Sequence, residues 1–225
     1  MTASGIPPAG LKLLSELERN NSTDWFHSHK AEYRELVQEP MLRVVEQVNA
    51  ELAKFAPAYV TEKKNPLSRP NRDTRFSKDK SPYRTDISVV FPCRGREKHA
   101  SAGFFIRVHP EGAELIAGSF MPGPDELAAV RKYVDRNHKA FTAMTQAKPL
   151  TSMFGALQGD QLQRVPRGYD STHPAAPLLR ATQFYYRRVL PRTVVTSPRF
   201  VAETSASFRA ATPFVEAVDA ALGNV

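Results

Sequence analysis

The sequence predicts an α+β fold: a single domain over residues 1–225, with a central antiparallel sheet packed by N-terminal and C-terminal helices. Three observations lead there. Apolar residues recur at helical spacing through the first sixty residues and again after residue 197. Between them, short runs rich in β-branched and aromatic residues are separated by tight turns. At 225 residues and 41% hydrophobic content, the chain fills one good-sized core.

Each element has a local reason. Leu11, Leu13, Leu14 and Leu17 give the first helix an apolar face. Asn20-Asn21-Ser22-Thr23 interrupts it and supplies capping oxygens for a second helix carrying Trp25, Phe26, Tyr33 and Val37. Pro40 suits the first turn of a third helix, with Leu42, Val45, Val48 and Leu52 inward, ended by Phe55-Ala56-Pro57. Residues 87–91, 103–109 and 113–120 read as strands with short connections, which favours an antiparallel meander. Residues 59–61 and residues 68–84 are candidates for one or two more strands. Pro124-Asp125-Glu126 opens a helix with acids in its first turn, as the helix dipole prefers, and Leu127, Val130, Tyr133 and Val134 form its buried face. A short continuation passes through Phe141 and Met144, and residues 149–180 read as irregular. Residues 182–190 are a candidate strand, Ser197-Pro198 a helix start, and Pro213 is expected to split the last helix in two.

Charge is distributed unevenly. Residues 63–107 hold twelve Lys/Arg against four Asp/Glu; the other parts of the chain hold nineteen of each sign. The whole net charge of +8 therefore sits in one fifth of the chain, a field that draws anionic partners: phosphate groups, nucleic-acid backbone or acidic protein surfaces. Its densest part is residues 68–84, with six cations and two acids in seventeen residues.

In that run Arg69, Arg72 and Arg75 offer planar donor forks for phosphate or carboxylate, Ser77 a hydroxyl, and Lys78 and Lys80 point charges. Asp73 and Asp79 are placed to orient the cations, and in the plainer reading they pair with them and simply lock a turn. Phe76 and Tyr83, interleaved with cations, suit stacking on bases. P-loop glycines are missing, so backbone N–H groups are less free to cradle a phosphate. A second polar cluster holds Arg164, Arg167, Tyr169, Asp170 and His173. Were it to lie against the first, Asp170 and His173 would form a candidate acid/base pair; otherwise Asp170 caps a turn.

Other chemistries find no footing. One cysteine, Cys93, excludes an internal disulfide and a cysteine metal cage. His27 and His29 are two apart and fall on different helix faces, and HExxH, Gly-x-Ser-x-Gly and dinucleotide fingerprints are missing. No metal site is predicted and no cofactor is indicated. Met1 to Gly10 lacks a basic segment followed by an apolar one, and no apolar run nears the roughly 20 residues of a membrane helix. A cytoplasmic protein with no membrane partner is expected.

A family resemblance rests on residues in order: Asn20-Asn21, Trp25-Phe26, His29-Lys30, Tyr33, Arg69, and Arg72-Asp73-Thr74-Arg75-Phe76-Ser77-Lys78-Asp79-Lys80-Ser81-Pro82-Tyr83. It continues through Gly118, Met121-Pro122, Leu127, Val130-Arg131 and Arg164-Val165-Pro166-Arg167-Gly168-Tyr169-Asp170 with His173-Pro174. Over about residues 10–222 the chain resembles the domain of unknown function 2461 family. The resemblance implies one domain along the chain and implies no activity. Pro70 departs from it, standing where an apolar strand residue is expected; with no N–H it suits an edge or bulge. The functional expectation is binding of an anionic, phosphate-bearing ligand through residues 69–84. The alternatives are a non-enzymatic module that docks an acidic protein partner, and a nucleic-acid-acting enzyme using Asp73, Asp79 and Asp86.

Overall fold

Four strands, β1 (Ile87–Pro92), β2 (Gly103–His109), β3 (Gly112–Ser119) and β4 (Phe184–Pro191), form one antiparallel sheet in the order β1-β2-β3-β4. This computed structural model describes residues 5–62, 64–95 and 102–223; Lys63 and residues 96–101, part of the cationic stretch, lie outside the described residues. The expected meander is present, with Val89 opposite Ile106, Ile106 opposite Leu115, and Leu115 opposite Arg188. Alternation along β2 sends Phe104, Ile106 and Val108 into the core, while Arg107 takes the other face. That phase puts Arg107 on the side where a cleft forms. Gly118 in β3 has φ +122°, and a Cβ there would collide with the Phe184 carbonyl of β4.

The chain enters through α1 (Pro8–Arg19) and α2 (Thr23–Ser28), the latter capped by Ser22, whose hydroxyl accepts from Trp25 N. Then α3 (Lys30–Tyr33) runs through a π-helical turn (Arg34–Gln38) into α4 (Glu39–Phe55), with helical dihedrals at every junction. The break between a second and a third helix expected near Pro40 is therefore a continuous helix with one wide turn. Pro40 has no N–H and its ring crowds the carbonyl of Leu36, four residues back; widening the turn relieves both. The opened turn also receives α1, because Gly10 lies so close to the Leu36 carbonyl that a Cβ would collide with it.

After the sheet come α5 (Pro124–Arg136), α6 (His138–Thr145), α7 (Lys148–Phe154), α8 (Ala176–Arg180), α9 (Arg192–Val195) and α10 (Arg199–Leu222). The start of α5 is as expected, with the Glu126 carboxylate accepting from Gly123 N–H. Two expectations need correction. Residues 149–180 are not wholly irregular: α7 buries Leu150 and Phe154 and α8 buries Leu179, in helices too short for periodicity to reveal. Pro213 does not divide α10. It sits on the exposed face, while Phe208, Ala211, Phe214, Val215 and Val218 of the same helix are buried. A proline inside a helix costs about 3 kcal/mol, whereas each buried Phe or Val returns roughly 1.5–3 kcal/mol, so the apolar face wins.

α10 lies over the sheet. Phe208 stacks on Phe104 at 4.6 Å, and Phe214 meets Tyr186 edge-on at 5.0 Å. The Tyr186 hydroxyl donates to the Thr145 carbonyl at 2.7 Å, and burial pushes its pKa up to about 12. Among the described residues no helix is long and apolar enough to cross a membrane.

Candidate functional site

The cationic run is the outer margin of the sheet. Leu67 bridges Val89 of β1, Ser68 N donates to Ser88 O at 2.7 Å, and Ser88 N donates to the Ser68 hydroxyl at 3.0 Å. Further out, Arg84 N donates to Pro70 O (2.7 Å) and Arg72 N to Pro82 O (2.9 Å), with Asn71 bridged to Tyr83. Residues 67–72 and 82–89 thus run antiparallel, and residues 73–81 form the loop that joins them. The extra strands expected here, and at residues 59–61, are reduced to isolated bridges and a single 3₁₀ turn at Pro57–Tyr59. Pro70 occupies an edge, where a missing N–H costs nothing. Tyr83 pins the margin to the core: its ring is 5% exposed and stacks on Phe26 at 4.0 Å. Its backbone is held by Asn21, from the end of α1.

This margin, α1 and β2 enclose a cleft of about 430 Å³. It is lined by Glu18, Asn21, Arg72, Asp79, Ser81, Tyr83, Arg84, Thr85, Asp86 and Arg107. Asp86, 6% exposed, organises it. Its Oδ1 accepts from Arg84 Nε (2.9 Å) and Nη2 (2.7 Å), and its Oδ2 from Arg107 Nε (2.8 Å). Arg107 Nη1 also lies 3.7 Å from Glu114 Oε2. Arg84 Nη1 and Arg107 Nη2 make no hydrogen bond among the described residues, so each guanidinium keeps donor capacity after its carboxylate is satisfied. Arg72 donates through Nη1 to Asp79 and to Ser81 O (3.4 Å), and through Nη2 to the Ser77 hydroxyl (3.4 Å). Hydrogen bonds from the Ser81 hydroxyl and amide, and then from Arg72, hold Asp79 well below the usual carboxylate range.

Three arginines face three acids in this lining, so its formal charge is zero. Donor orientation, not net charge, therefore sets what the cleft attracts. The two kinds of pair differ in strength. Asp79 of the Arg72–Asp79 pair is solvent-exposed, and exposed pairs are screened and weak, so an incoming anion can displace the carboxylate. In the Asp86 pairs the carboxylate is buried and both guanidiniums are partly exposed, so losing an arginine leaves a buried carboxylate short of a partner. In the same charge field lies Tyr33, whose buried hydroxyl has no hydrogen-bond partner among the described residues. Its pKa is raised, first by burial and then by the negative charge of Asp86, with Arg84 opposing.

Of the residues singled out in sequence, the structure brings Arg72, Asp79, Tyr83 and Asp86 into the cleft, with Ser77 touching it through Arg72. Arg75 and Asp73 pair with each other on the exposed loop, at 2.7 Å from Nη2 to Oδ2, and those hydrogen bonds lower the Asp73 pKa. Lys80 Nζ donates to Thr74 O at 2.9 Å, while Arg69 and Lys78 are exposed. The second cluster takes its contacts from α5 and α6 instead. His173 Nε2 lies 3.5 Å from Asp135, and the His173 ring meets His138 edge-on. Tyr169 is raised in pKa by burial and then by Asp135, with Arg131 opposing. Arg167 is exposed on the same loop. Asp170 accepts from Thr172 N and from its hydroxyl, both at 2.8 Å, and His173 Nδ1 accepts from Ala175 N at 3.1 Å. Asp170 and His173 thus serve separate partners: the first caps a turn and the second faces Asp135.

Sequence reasoning did not select Glu18, Asn21, Ser81, Arg84, Thr85 or Arg107 as site residues, and named Asp86 only for the nucleic-acid-acting alternative. Ser81 and Arg84 lie inside the run that drew attention, and Arg107 breaks the apolar character of a strand at its outward phase; both were available signals. Glu18 and Thr85 carried none. Among the described residues no group of three His, Cys, Asp or Glu is arranged to hold a metal.

A family model described as "Conserved hypothetical protein (DUF2461)" matches residues 9–216. The chain belongs to this family. The DUF2461 match takes in the whole cleft, the loop at residues 73–81 and the second polar cluster. Neither the curated proteins nor the solved structures gave a match.

Proposed function

We propose that the cleft binds an anionic, phosphate-bearing ligand. The observation that carries this reading is the convergence of Arg72, Arg84 and Arg107 on one open cleft of about 430 Å³, two of them oriented by a single buried carboxylate. Guanidinium forks fixed in this way lose little conformational freedom on binding and match phosphate oxygens. The Thr85 hydroxyl and the second N–H of the Asn21 amide add neutral donors around them. Asp79 holds Arg72 until a stronger acceptor displaces it.

Calorimetric titration of inorganic phosphate and of phosphate esters tests this. Saturable binding is expected for the wild type, with at least a roughly tenfold loss in Arg72→Gln, given that hydrogen bonds to charged groups are worth about 1.5–3 kcal/mol. The melting temperature of that variant should stay within a few degrees, because its Asp79 pair is exposed. Lack of saturable binding by the wild type overturns the reading.

A further inference from the structure

Phe76 is 95% exposed, at the end of the loop that walls the cleft. The loop is braced rather than slack. Asp73 accepts from Arg75 N (3.2 Å), Ser77 N donates to Thr74 O (3.3 Å), Lys80 reaches Thr74 O, and Ser81 N donates to Asp79 (2.9 Å). An aromatic ring is thus held in water by a structured turn. The Arg75 guanidinium stands 5.7 Å from its centroid, so the ring already works as a cation–π partner and keeps surface for a second planar group. Arg69 and Lys78, in the same cationic run, are exposed and make no ion pair among the described residues. Ser77, the next residue, touches Arg72 at 3.4 Å and so ties the ring to the cleft.

We infer that the ligand is single-stranded nucleic acid, with one phosphate on Arg72, Arg84 and Arg107, an adjoining base stacked on Phe76, and further phosphates along Arg69, Lys78 and Lys80. This rests on the phosphate-binding reading of the cleft. A strand fits better than a free nucleotide. The ring is 95% exposed with no opposing wall to trap a base, so the base must be tethered by neighbouring contacts, and Arg69 and Lys78, exposed and not part of the cleft lining, are left for a chain's further phosphates. Base stacking on an isolated aromatic combined with a cationic track is the usual mode of sequence-tolerant single-strand binding. A membrane surface fits less well: interfacial binding scales with buried apolar area, and Phe76 is the one large hydrophobic side chain exposed on this loop among the described residues.

The test is fluorescence anisotropy of the full chain with a labelled oligothymidylate of roughly twelve nucleotides at low salt. Phe76→Ala should weaken binding about tenfold, Phe76→Trp should restore it with indole emission quenched on binding, and inorganic phosphate affinity should be unchanged in both. If phosphate binds the wild type but Phe76→Ala holds the oligonucleotide as well as the wild type does, this inference falls and the cleft reading stands. If phosphate itself does not bind, both fall. Thymidine monophosphate binding as tightly as the oligonucleotide, with the same dependence on Phe76, overturns the strand. Loss of binding to phosphatidylserine vesicles in Phe76→Ala, with oligonucleotide affinity unchanged, overturns it in favour of a membrane.

Discussion

The carboxamide of Asn21 and the backbone of Tyr83 exchange two hydrogen bonds: Asn21 Nδ2 donates to Tyr83 O at 2.9 Å, and Tyr83 N donates to Asn21 Oδ1 at 3.0 Å. A side chain here pairs as a neighbouring strand would, and it fixes α1 to the margin that carries Arg84 and Asp86. Asn49 and Thr61 repeat the arrangement at the end of α4, at 2.8 and 3.0 Å. Asn21→Ala leaves a donor and an acceptor of Tyr83 unpaired. A loss of about 1–3 kcal/mol is expected in urea unfolding, with weaker anion binding because the Arg84 wall loosens. An unchanged midpoint would show that the clamp contributes nothing.

Asp86→Asn strips the shared anion from Arg84 and Arg107 while keeping shape. Asp86 is buried but both guanidiniums are partly exposed, so the expected cost in urea unfolding is about 1.5–3 kcal/mol, the range for hydrogen bonds to charged groups. Asp73→Asn, by contrast, removes an exposed pair with Arg75 and should leave stability nearly unchanged. Equal effects of the two substitutions would contradict the distinction between cleft and loop.

Most of the fold is legible from periodicity: the Leu11–Leu17 face, the alternation of β2, and the proline and acids that open α5. What escapes does so for physical reasons. The π-helical turn is a compromise between Pro40 and α1 packing on Leu36, a tertiary relation that local pattern cannot carry. The integrity of α10 through Pro213 depends on what its other face buries. At the cleft, charge density marked a segment that supplies part of the lining but did not separate its arginines. Arg75 and Arg72 have the same chemistry and lie three residues apart, yet one pairs outward with Asp73 and the other lines the cleft. Arg107 reaches the site from another strand, through sheet register alone.

Gly10→Ala separates propensity from packing. In a solvated helix the change gains roughly 0.5–1 kcal/mol. Here the new methyl meets the backbone carbonyl of Leu36, which cannot move aside as a side chain would. Net destabilisation, in the overpacking range of about 1–3 kcal/mol, is expected in thermal or urea unfolding. A stabilised variant would mean that the π-turn yields.

Alkaline stability follows from Tyr33 and Tyr186, both shifted upward by burial. A raised folded-state pKa means the folded chain holds its proton longer than the unfolded chain does. The contribution is complete below the unfolded value of about 10 and is lost as pH rises from there towards the folded values. Denaturation midpoints should therefore fall with pH above about 10. Tyr33→Phe should flatten that fall without destabilising the protein at neutral pH, since the hydroxyl it removes has no partner among the described residues. A destabilised Tyr33→Phe would show that the hydroxyl is in use.

The most direct measurement is an NMR titration of arginine side-chain Nε–Hε resonances with inorganic phosphate. The signals of Arg72, Arg84 and Arg107 should shift together along one saturating curve, while that of Arg75, committed to Asp73 on the outer loop, should not follow it. Shifts spread evenly and without saturation over every exposed cation, or none at the three cleft arginines, would contradict a convergent anion site.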